Sequence, residues 1–389
     1  MRLRNLLGFA ASLVLVFSAN ELLPAAEATW KAGLAKTKIT PDKPIWMAGY
    51  GGRDHPAEGT LHDIWVKVLA LETPNGDRAV LVTSDLESFP ETTAEKICRP
   101  LKDRFQLDRR QIMLTCSHTH SSPVVWTRDP GCYPLDDEQE AKIKQYTSVL
   151  EERVVAAVAE AMSRLTPATL WAAEGTATFA VNRRNNRAKD VPELRKKGVP
   201  LKGPSDHTVP VLAVRTPQGK LRAVVVGYAC HCTTLSIYQW SGDYAGFAQI
   251  ALEQNHPGVQ AMFYQGCGAD QNPLPRRTVE LCQKYGQMLA AATDKVLEGP
   301  MRPIAPQLRM GYEVIELDYG QHPTKEELQA LAPKKGYRAR WARHCLKTLA
   351  EAGTFPKSRP YPVQVWRLGK DQWWIALGGE VVVDYALLF

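Results

Sequence analysis

Residues 111–123 read Gln-Ile-Met-Leu-Thr-Cys-Ser-His-Thr-His-Ser-Ser-Pro, an apolar run that opens into small polar residues and a proline. The run over residues 112–115 is typical of a buried strand, which should end at the histidines. Because strand side chains alternate between faces, His118 and His120 are expected on one side of the strand's C-terminal end, where open α/β sheets bind ligands. Two imidazoles there indicate either a metal site, or one loop-capping and one surface histidine.

A second apolar run leads into a histidine in the same way. Residues 224–229 are followed by Cys230-His231-Cys232 and then by two threonines. The repeated pattern of strand, histidine and Thr/Ser-rich loop favours the metal site. Cys230 and Cys232 should point away from His231, and since the chain has no Cys-x-x-Cys pair we interpret them as packing residues rather than zinc ligands.

Composition and charge exclude several classes of protein. The chain has 389 residues, 44% of them hydrophobic and 23% charged, which predicts one large globular domain or two closely joined ones. The net charge is +7, but the basic residues cluster only at residues 183–187 and 334–343, without a nucleic-acid-binding motif. We therefore expect no nucleic-acid partner. The mild basicity is compatible with peripheral contact with a membrane surface, and the sequence does not indicate an oligomeric state.

Residues 1–28 have the features of a secretory signal peptide. Arg2 and Arg4 precede an apolar segment over residues 6–17, and Ala26-Glu27-Ala28 precedes the expected cleavage point. The apolar segment is shorter than the roughly 20 residues that span a bilayer. The sequence therefore predicts an exported protein, periplasmic or extracellular.

The rest of the chain alternates predicted hairpins with predicted helices. A hairpin is predicted for residues 64–71 and 78–83, and a long amphipathic helix for residues 136–165. A third strand, over residues 259–264, opens into the glycine-rich turn at 265–273. This pattern predicts an α/β fold of mixed β-sheets flanked by helices, with the active site at the C-terminal ends of strands.

A carboxylate follows another predicted strand near the C-terminus. His118, His231 and Glu380 each stand at a strand end beside small residues, and they provide the two imidazoles and one carboxylate of many catalytic zinc sites. Such a zinc lowers the pKa of its water to about 7 and polarises a carbonyl group. Spacing alone does not select these three residues among nine histidines and many carboxylates.

Seven short motifs occur along the chain in a specific order. They are Ala48-Gly49-Tyr50, residues 117–123, Asn182-Arg183, Tyr228-Ala229-Cys230-His231, residues 242–246, Asp270-Gln271-Asn272-Pro273 and Gly379-Glu380. As an ordered set they resemble the catalytic domain of the neutral, non-lysosomal ceramidases. The resemblance extends roughly from Gly33 to the C-terminus.

That family cleaves the amide of N-acyl sphingosines with one zinc ion, held by two histidines, a glutamate and a tyrosine. The resemblance implies one Zn²⁺ per chain, with water on the zinc as nucleophile, and it implies these metal ligands: His118, His231 and Glu380. It also implies that His120 is a partner of the reacting groups and that Arg183 is a donor near the substrate head group or the oxyanion. We interpret the catalytic residues accordingly, with His120 transferring a proton and Arg183 and Asn272 stabilising the oxyanion. Supporting carboxylates are expected behind the ligands at Asp85, Asp243 and Asp270.

Three features depart from the family pattern. Asn272 stands where ceramidases have the serine of Asp-Val-Ser-Pro, and an amide can donate a hydrogen bond but cannot act as a nucleophile. The chain ends nine residues after Glu380, before the segment expected to supply the tyrosine ligand, and the immunoglobulin-like domain of the family is expected to be missing. Residues 29–389 are thus expected to form a C-terminally truncated catalytic domain of ceramidase type. An exposed apolar patch near residues 381–389 and weakened zinc affinity are also expected.

Together these features predict an exported zinc amidohydrolase that acts on an N-acyl, ceramide-like lipid or another small amide. Two alternatives stay open. One is a metal-dependent esterase or phosphoesterase, in which the arginines around Arg183 would bind an anionic group. The other is a degenerate protein that keeps the ceramidase fold as a non-catalytic binding module.

Overall fold

The structure is a computed structural model that describes residues 29–127 and 133–389. The predicted signal peptide, residues 1–28, lies outside the described residues, and the prediction of export stays a prediction. No helix in the described part of the chain is long and apolar enough to cross a membrane.

The described residues form mixed sheets with helices on their outer faces, which confirms the predicted fold class. The strands are β1 (Trp30–Lys38), β2 (Gly59–Thr60), β3 (Trp65–Glu72), β4 (Arg78–Ser84), β5 (Ile112–Cys116), β6 (Thr166–Thr176), β7 (Ala180–Asn182), β8 (Thr208–Arg215), β9 (Leu221–Tyr228), β10 (Gln239–Trp240), β11 (Gln260–Gln265), β12 (Gln271–Pro273), β13 (Arg302–Ile304), β14 (Leu308–Asp318), β15 (Ser358–Leu368) and β16 (Gln372–Leu377). The α-helices are α1 (Glu91–Phe105), α2 (Asp137–Ser163), α3 (Val191–Lys196), α4 (Asp243–Asn255), α5 (Val279–Glu298), α6 (Lys325–Leu331), α7 (Tyr337–Ala352) and α8 (Asp384–Leu388).

The main sheet has the strand order β11-β9-β8-β6-β1-β3-β4-β5, with β13 paired to β6. The pairs β4–β5 and β9–β11 are parallel, whereas the other pairs of this sheet are antiparallel. Because β9 and β11 are parallel, the loops that follow them leave the sheet at the same edge. At the other end of the sheet, the loop after β5 follows the C-terminal end of a strand that is parallel to β4. These are the three strands that the sequence predicts to carry the site.

The sheet bends so that its two halves pack face to face. Helices α1 and α2 cover the outer face of β1, β3 and β4, and helices α4 and α5 cover that of β8, β9 and β11. The inner faces share one apolar core that includes Leu69, Met113, Val225 and Met262. Lys67 Nζ donates to Ala261 O over 2.7 Å, which ties β3 directly to β11. The bend brings the loops after β5, β9 and β11 to one side of the molecule, although these strands lie at opposite ends of the sheet order.

Local chemistry explains the boundaries of the main helices. Asp136 caps α2 by accepting a hydrogen bond from Gln139 N, and acidic residues fill its first turn. Thr278 caps α5 in the same way, by accepting from Leu281 N. The hairpin predicted at residues 64–83 is confirmed as β3 and β4.

A three-stranded antiparallel sheet, β14-β15-β16, packs on the inner core through Trp366 and Leu368. Its first strand, β14, is not among the predicted strands, and most of its residues are exposed. The chain then leads through Glu380 into the five-residue helix α8. The apolar surface expected there is present: Leu388 and Phe389 are each 80% exposed.

Candidate active site

His118 lies just past the end of β5. The strand ends at Cys116, and His118 has a left-handed backbone with φ of 57°. The expectation that strand alternation places His118 and His120 on one side is therefore wrong, because the chain has already left the strand. A tight turn brings the two rings together instead, with their Nε2 atoms 3.3 Å apart.

Both predicted histidine ligands are oriented by backbone carbonyls. His118 Nδ1 donates to Glu87 O over 2.8 Å, and His231 Nδ1 donates to Gly268 O over 2.7 Å. These bonds place the proton on Nδ1, so each neutral ring directs the lone pair of its Nε2 into the site. Gly268 is required for this approach, since a Cβ there would lie 2.7 Å from Cys230 N.

Glu380 reaches the same point from the other end of the chain. Its Oε2 lies 3.1 Å from His231 Nε2 and its Oε1 lies 3.6 Å from His118 Nε2. Arg183 Nη2 is 3.8 Å from the same carboxylate. A hydrogen bond that His231 Nε2 donates when its ring is doubly protonated, together with the charges of His118 and Arg183, lowers the pKa of Glu380 to about 2. Glu380 is therefore ionised at neutral pH.

The donor set fits a zinc ion. A tetrahedral zinc with bonds of about 2.0–2.1 Å separates its ligand atoms by about 3.3–3.4 Å. The distances of 3.1 and 3.6 Å from Glu380 to the two imidazoles lie on either side of that value. Burial lowers the pKa of His231, so its imidazole is neutral, as ligation requires. His118, His231 and Glu380 can thus hold a divalent metal ion.

His120 belongs to the same cluster. Its ligand nitrogen and those of His118 and His231 all lie within 4.8 Å of one another, so these three histidines also form a group that could hold a metal. Burial, followed by the charges of His118 and His231, lowers the pKa of His120 to about 2. Its Nδ1 is buried and has no hydrogen-bond partner within the described ranges. The geometry therefore admits His120 both as a ligand and as the predicted proton-transfer group.

Tyr50 and Gly49 form the wall beside His120. The Tyr50 ring meets the His120 ring edge to face, with centroids 4.7 Å apart. Gly49 has φ of +89°, and a Cβ at this position would lie 2.3 Å from the His120 ring. Glycine therefore allows the loop before β2 to close over the histidine. Beyond Arg53, whose guanidinium stacks on Tyr50, a cavity of about 540 Å³ extends toward Trp46 and Arg340.

Arg183 and Asn272 sit on the paired strands β7 and β12 or directly after them. Arg183 N donates to Asp270 O over 2.7 Å, which holds this arginine against the glycine-rich turn. Asn272 is 4% exposed, and Thr233 Oγ1 donates to its Oδ1 over 3.2 Å. The neighbouring Gln271 O accepts from His231 N, so Asn272 lies one residue from a direct contact with a predicted ligand.

The three supporting carboxylates accept hydrogen bonds from backbone and side-chain amide groups rather than from imidazoles. Asp243 accepts from the backbone N–H groups of Thr234 and Leu235, so it fixes the loop after His231. Asp270 accepts from Asn182 Nδ2 and Val383 N, and thereby joins β7 to the segment after Glu380. Asp85 accepts from Trp65 N and Gln249 Nε2, which links β3 to α4. The oriented imidazoles use the carbonyls of Glu87 and Gly268, for which the sequence carries no signal.

Cys230 and Cys232 are free thiols. Cys230 and Cys232 are fully buried in the core beneath α4 and α5. This agrees with their interpretation as packing residues.

Comparison with known proteins places the chain in a family. The sequence profile of the family described as "Neutral/alkaline non-lysosomal ceramidase, N-terminal" matches residues 30–292, which is more than half of the chain. The chain belongs to this family. Family membership supports a ceramidase-like hydrolase, and it agrees with the resemblance carried by the seven motifs. No curated protein sequence matches the chain.

Two solved ceramidase structures share the fold. The neutral ceramidase of Pseudomonas aeruginosa has a TM-score of 0.65 at 18% identity, over 88% of this chain and 61% of that one. A ceramidase complexed with C2 has a TM-score of 0.65 at 17% identity, over 88% of this chain and 62% of that one. The chain therefore spans about three fifths of the length of these ceramidases.

The depressed pKa of His120 predicts how acid affects the metal-free protein. A histidine whose folded pKa lies below its unfolded value of about 6.5 stabilises the fold above that pH, and this stabilisation is lost as the pH falls. The wild type should therefore lose up to about 1.4 kcal/mol of unfolding free energy per pH unit below about 6.5, relative to His120→Gln. Urea unfolding of both proteins with chelator at pH 7.0, 6.0 and 5.0 measures this difference, and equal pH dependence would contradict the burial of a neutral His120.

Proposed function

We propose that this protein hydrolyses the amide bond of an N-acyl lipid, with one Zn²⁺ held by His118, His231 and Glu380. The observation that carries the proposal is the convergence of two oriented imidazole nitrogens and an ionised carboxylate on one point. Membership of the ceramidase family supports the class of substrate. A related structure is described as a ceramidase complexed with C2, which supports it further.

A zinc ion in this site would activate water and polarise the amide carbonyl. The protein's own residues provide the other functions. His120 faces the site from beside Tyr50, where it can take the proton of the attacking water and return it to the leaving nitrogen. Arg183 lies next to Glu380, and its buried Nε has no hydrogen-bond partner in the described chain. This guanidinium can therefore stabilise negative charge on the carbonyl oxygen.

Asn272 is proposed as a second donor to that oxygen. The Thr233 hydroxyl donates to Asn272 Oδ1, which leaves the Nδ2 end of the amide to donate to substrate. This role needs no nucleophilic side chain, so the asparagine is compatible with hydrolysis by water. Export is also proposed, on the basis of residues 1–28, and would place the site in the periplasm or outside the cell.

A substrate panel tests the proposed function. Purified protein loaded with zinc should release fatty acid from a ceramide-like amide, and both chelator and His118→Ala should abolish the release. The matched ester and phosphoester measure the alternative activities under the same conditions. Turnover of the ester or phosphoester alone would contradict the proposal in favour of that chemistry. Stoichiometric zinc binding without turnover of any compound would instead indicate a binding protein.

A further inference from the structure

Two arginines lie against the ring of Tyr50 at the edge of the histidine cluster. The guanidinium carbons of Arg53 and Arg277 each lie 5.0 Å from the centroid of its ring. Arg277 Nη1 also donates to the Tyr50 hydroxyl over 2.8 Å. Because the same ring contacts His120, these positive charges lie within one side chain of the site.

Arg276 adds a further positive charge, which lies close enough to act on Tyr50. Its Nη1 donates to Thr233 O, two residues after His231. In the described part of the chain, no carboxylate oxygen lies within 4.0 Å of the guanidinium groups of Arg53, Arg276 or Arg277. The nearby carboxylate of Asp243 is fully buried and accepts from backbone N–H groups. Burial, followed by the charge of Arg277, lowers the pKa of Arg276, so an anion at this position would relieve an unfavourable concentration of positive charge.

The free edges of these two guanidinium groups are suited to an anion. Arg277 is exposed, and its hydrogen bonds to described residues use Nη1 alone. Arg276 likewise uses Nη1. The Nε/Nη2 edge of a guanidinium is the fork that binds a carboxylate or sulfonate through two parallel hydrogen bonds. The neutral head group of a simple N-acyl amino alcohol would leave both forks without a charged partner.

We propose that the substrate is an N-acyl amine that carries a carboxylate or sulfonate on its amine side, and that Arg276 and Arg277 bind this anionic group. The inference rests on the proposed amidase function. We assign the anionic group to the amine side because His120 is proposed to protonate the leaving nitrogen. Tyr50 contacts His120, and Arg277 contacts Tyr50, so the two arginines lie on that side of the site. Arg183, which lies next to Glu380, keeps its proposed role of stabilising the carbonyl oxygen.

Binding of a non-hydrolysable pair of ligands tests the proposal without relying on turnover. The probe is N-dodecanoylglycine with the amide NH replaced by CH₂, and the reference is the primary carboxamide of the same compound. Calorimetric titration of the zinc-loaded protein should show the acid binding about 10- to 100-fold more tightly than the carboxamide, as expected for charge-assisted hydrogen bonds. Arg277→Gln and Arg276→Gln should each reduce this ratio to about threefold or less. Arg164→Gln, which changes an exposed arginine paired with Glu160, serves as the matched control and should keep the wild-type ratio.

The outcomes separate this inference from the proposed function. Equal binding of acid and carboxamide, or an unchanged ratio in both arginine variants, would overturn the inference. Arg277→Gln alters an exposed side chain and should fold, so its binding ratio tests the inference even if Arg276→Gln fails to fold. A turnover assay on N-dodecanoylglycine and N-dodecanoylethanolamine completes the test. Hydrolysis of the neutral amide at an equal or higher kcat/KM would retain the amidase and overturn the anionic substrate. Hydrolysis of neither amide, with the binding ratio preserved, would overturn the amidase and the N-acyl amine as substrate, and would support only the binding of an anion by Arg276 and Arg277.

Discussion

Replacing His231 with alanine should reduce the zinc content of the purified protein from about one ion per chain to nearly none. The reason is geometric, since His231 Nε2 and the Glu380 carboxylate lie 3.1 Å apart and face the same point. Removing one of three protein ligands leaves two donors and an open cavity. His118→Ala should have the same effect, and hydrolysis should fall with the metal. Metal analysis after dialysis measures the zinc content directly.

A histidine outside the site provides the control for this experiment. His256 lies at the end of α4 and pairs with Asp294 over 2.8 Å, so His256→Ala removes an imidazole without touching the cluster. Its zinc content should equal that of the wild type. Full zinc occupancy in both His118→Ala and His231→Ala would show that the metal is held elsewhere, and the ligand assignment would fail.

The strands that carry the site could be predicted because buried strands appear in the sequence as runs of apolar residues. Residues 112–115 and 224–229 are apolar runs that end in polar residues, and the structure has β5 and β9 at these positions. What could not be predicted from such runs is the bend of the sheet. Lys67 and Gln260 tie β3 to β11 through backbone carbonyls, and no local pattern reveals that contact.

Glu380 shows a second limit of sequence reasoning. Its carboxylate contacts His231 across 149 residues of chain, and neither spacing nor periodicity connects the two. The ordered motifs of the family identified it instead. Neither strand patterns nor family motifs could predict the hydrogen-bond partners of the two imidazoles. Glu87 and Gly268 accept through backbone carbonyls, which any residue could provide. The predicted carboxylates have a different use: that of Asp243 fixes the loop after His231, and that of Asp270 accepts from Asn182 Nδ2, next to Arg183.

His120→Gln is expected to keep the zinc and to lower kcat by about 10²- to 10⁴-fold, the usual contribution of a general acid–base group. Its three-dimensional position allows another role, because its Nε2 is only 3.3 Å from His118 Nε2. A pKa of about 2 makes His120 a weak base in the metal-free protein, and neutrality is also what a ligand requires. Burial is the first cause of that low pKa, and the charges of His118 and His231 act in the same direction.

Negative charge that develops on the substrate oxygen would raise the basicity of His120 during the reaction, which favours proton transfer at that stage. Glutamine keeps the approximate size and one polar end of the side chain but cannot carry the proton. Zinc analysis and kcat measured on the same preparation therefore separate the two roles. Retained zinc with a large loss of kcat supports proton transfer. Loss of zinc in His120→Gln, comparable to the loss in His231→Ala, would make His120 a third imidazole ligand, and the proton would then have to be transferred by another group beside Tyr50.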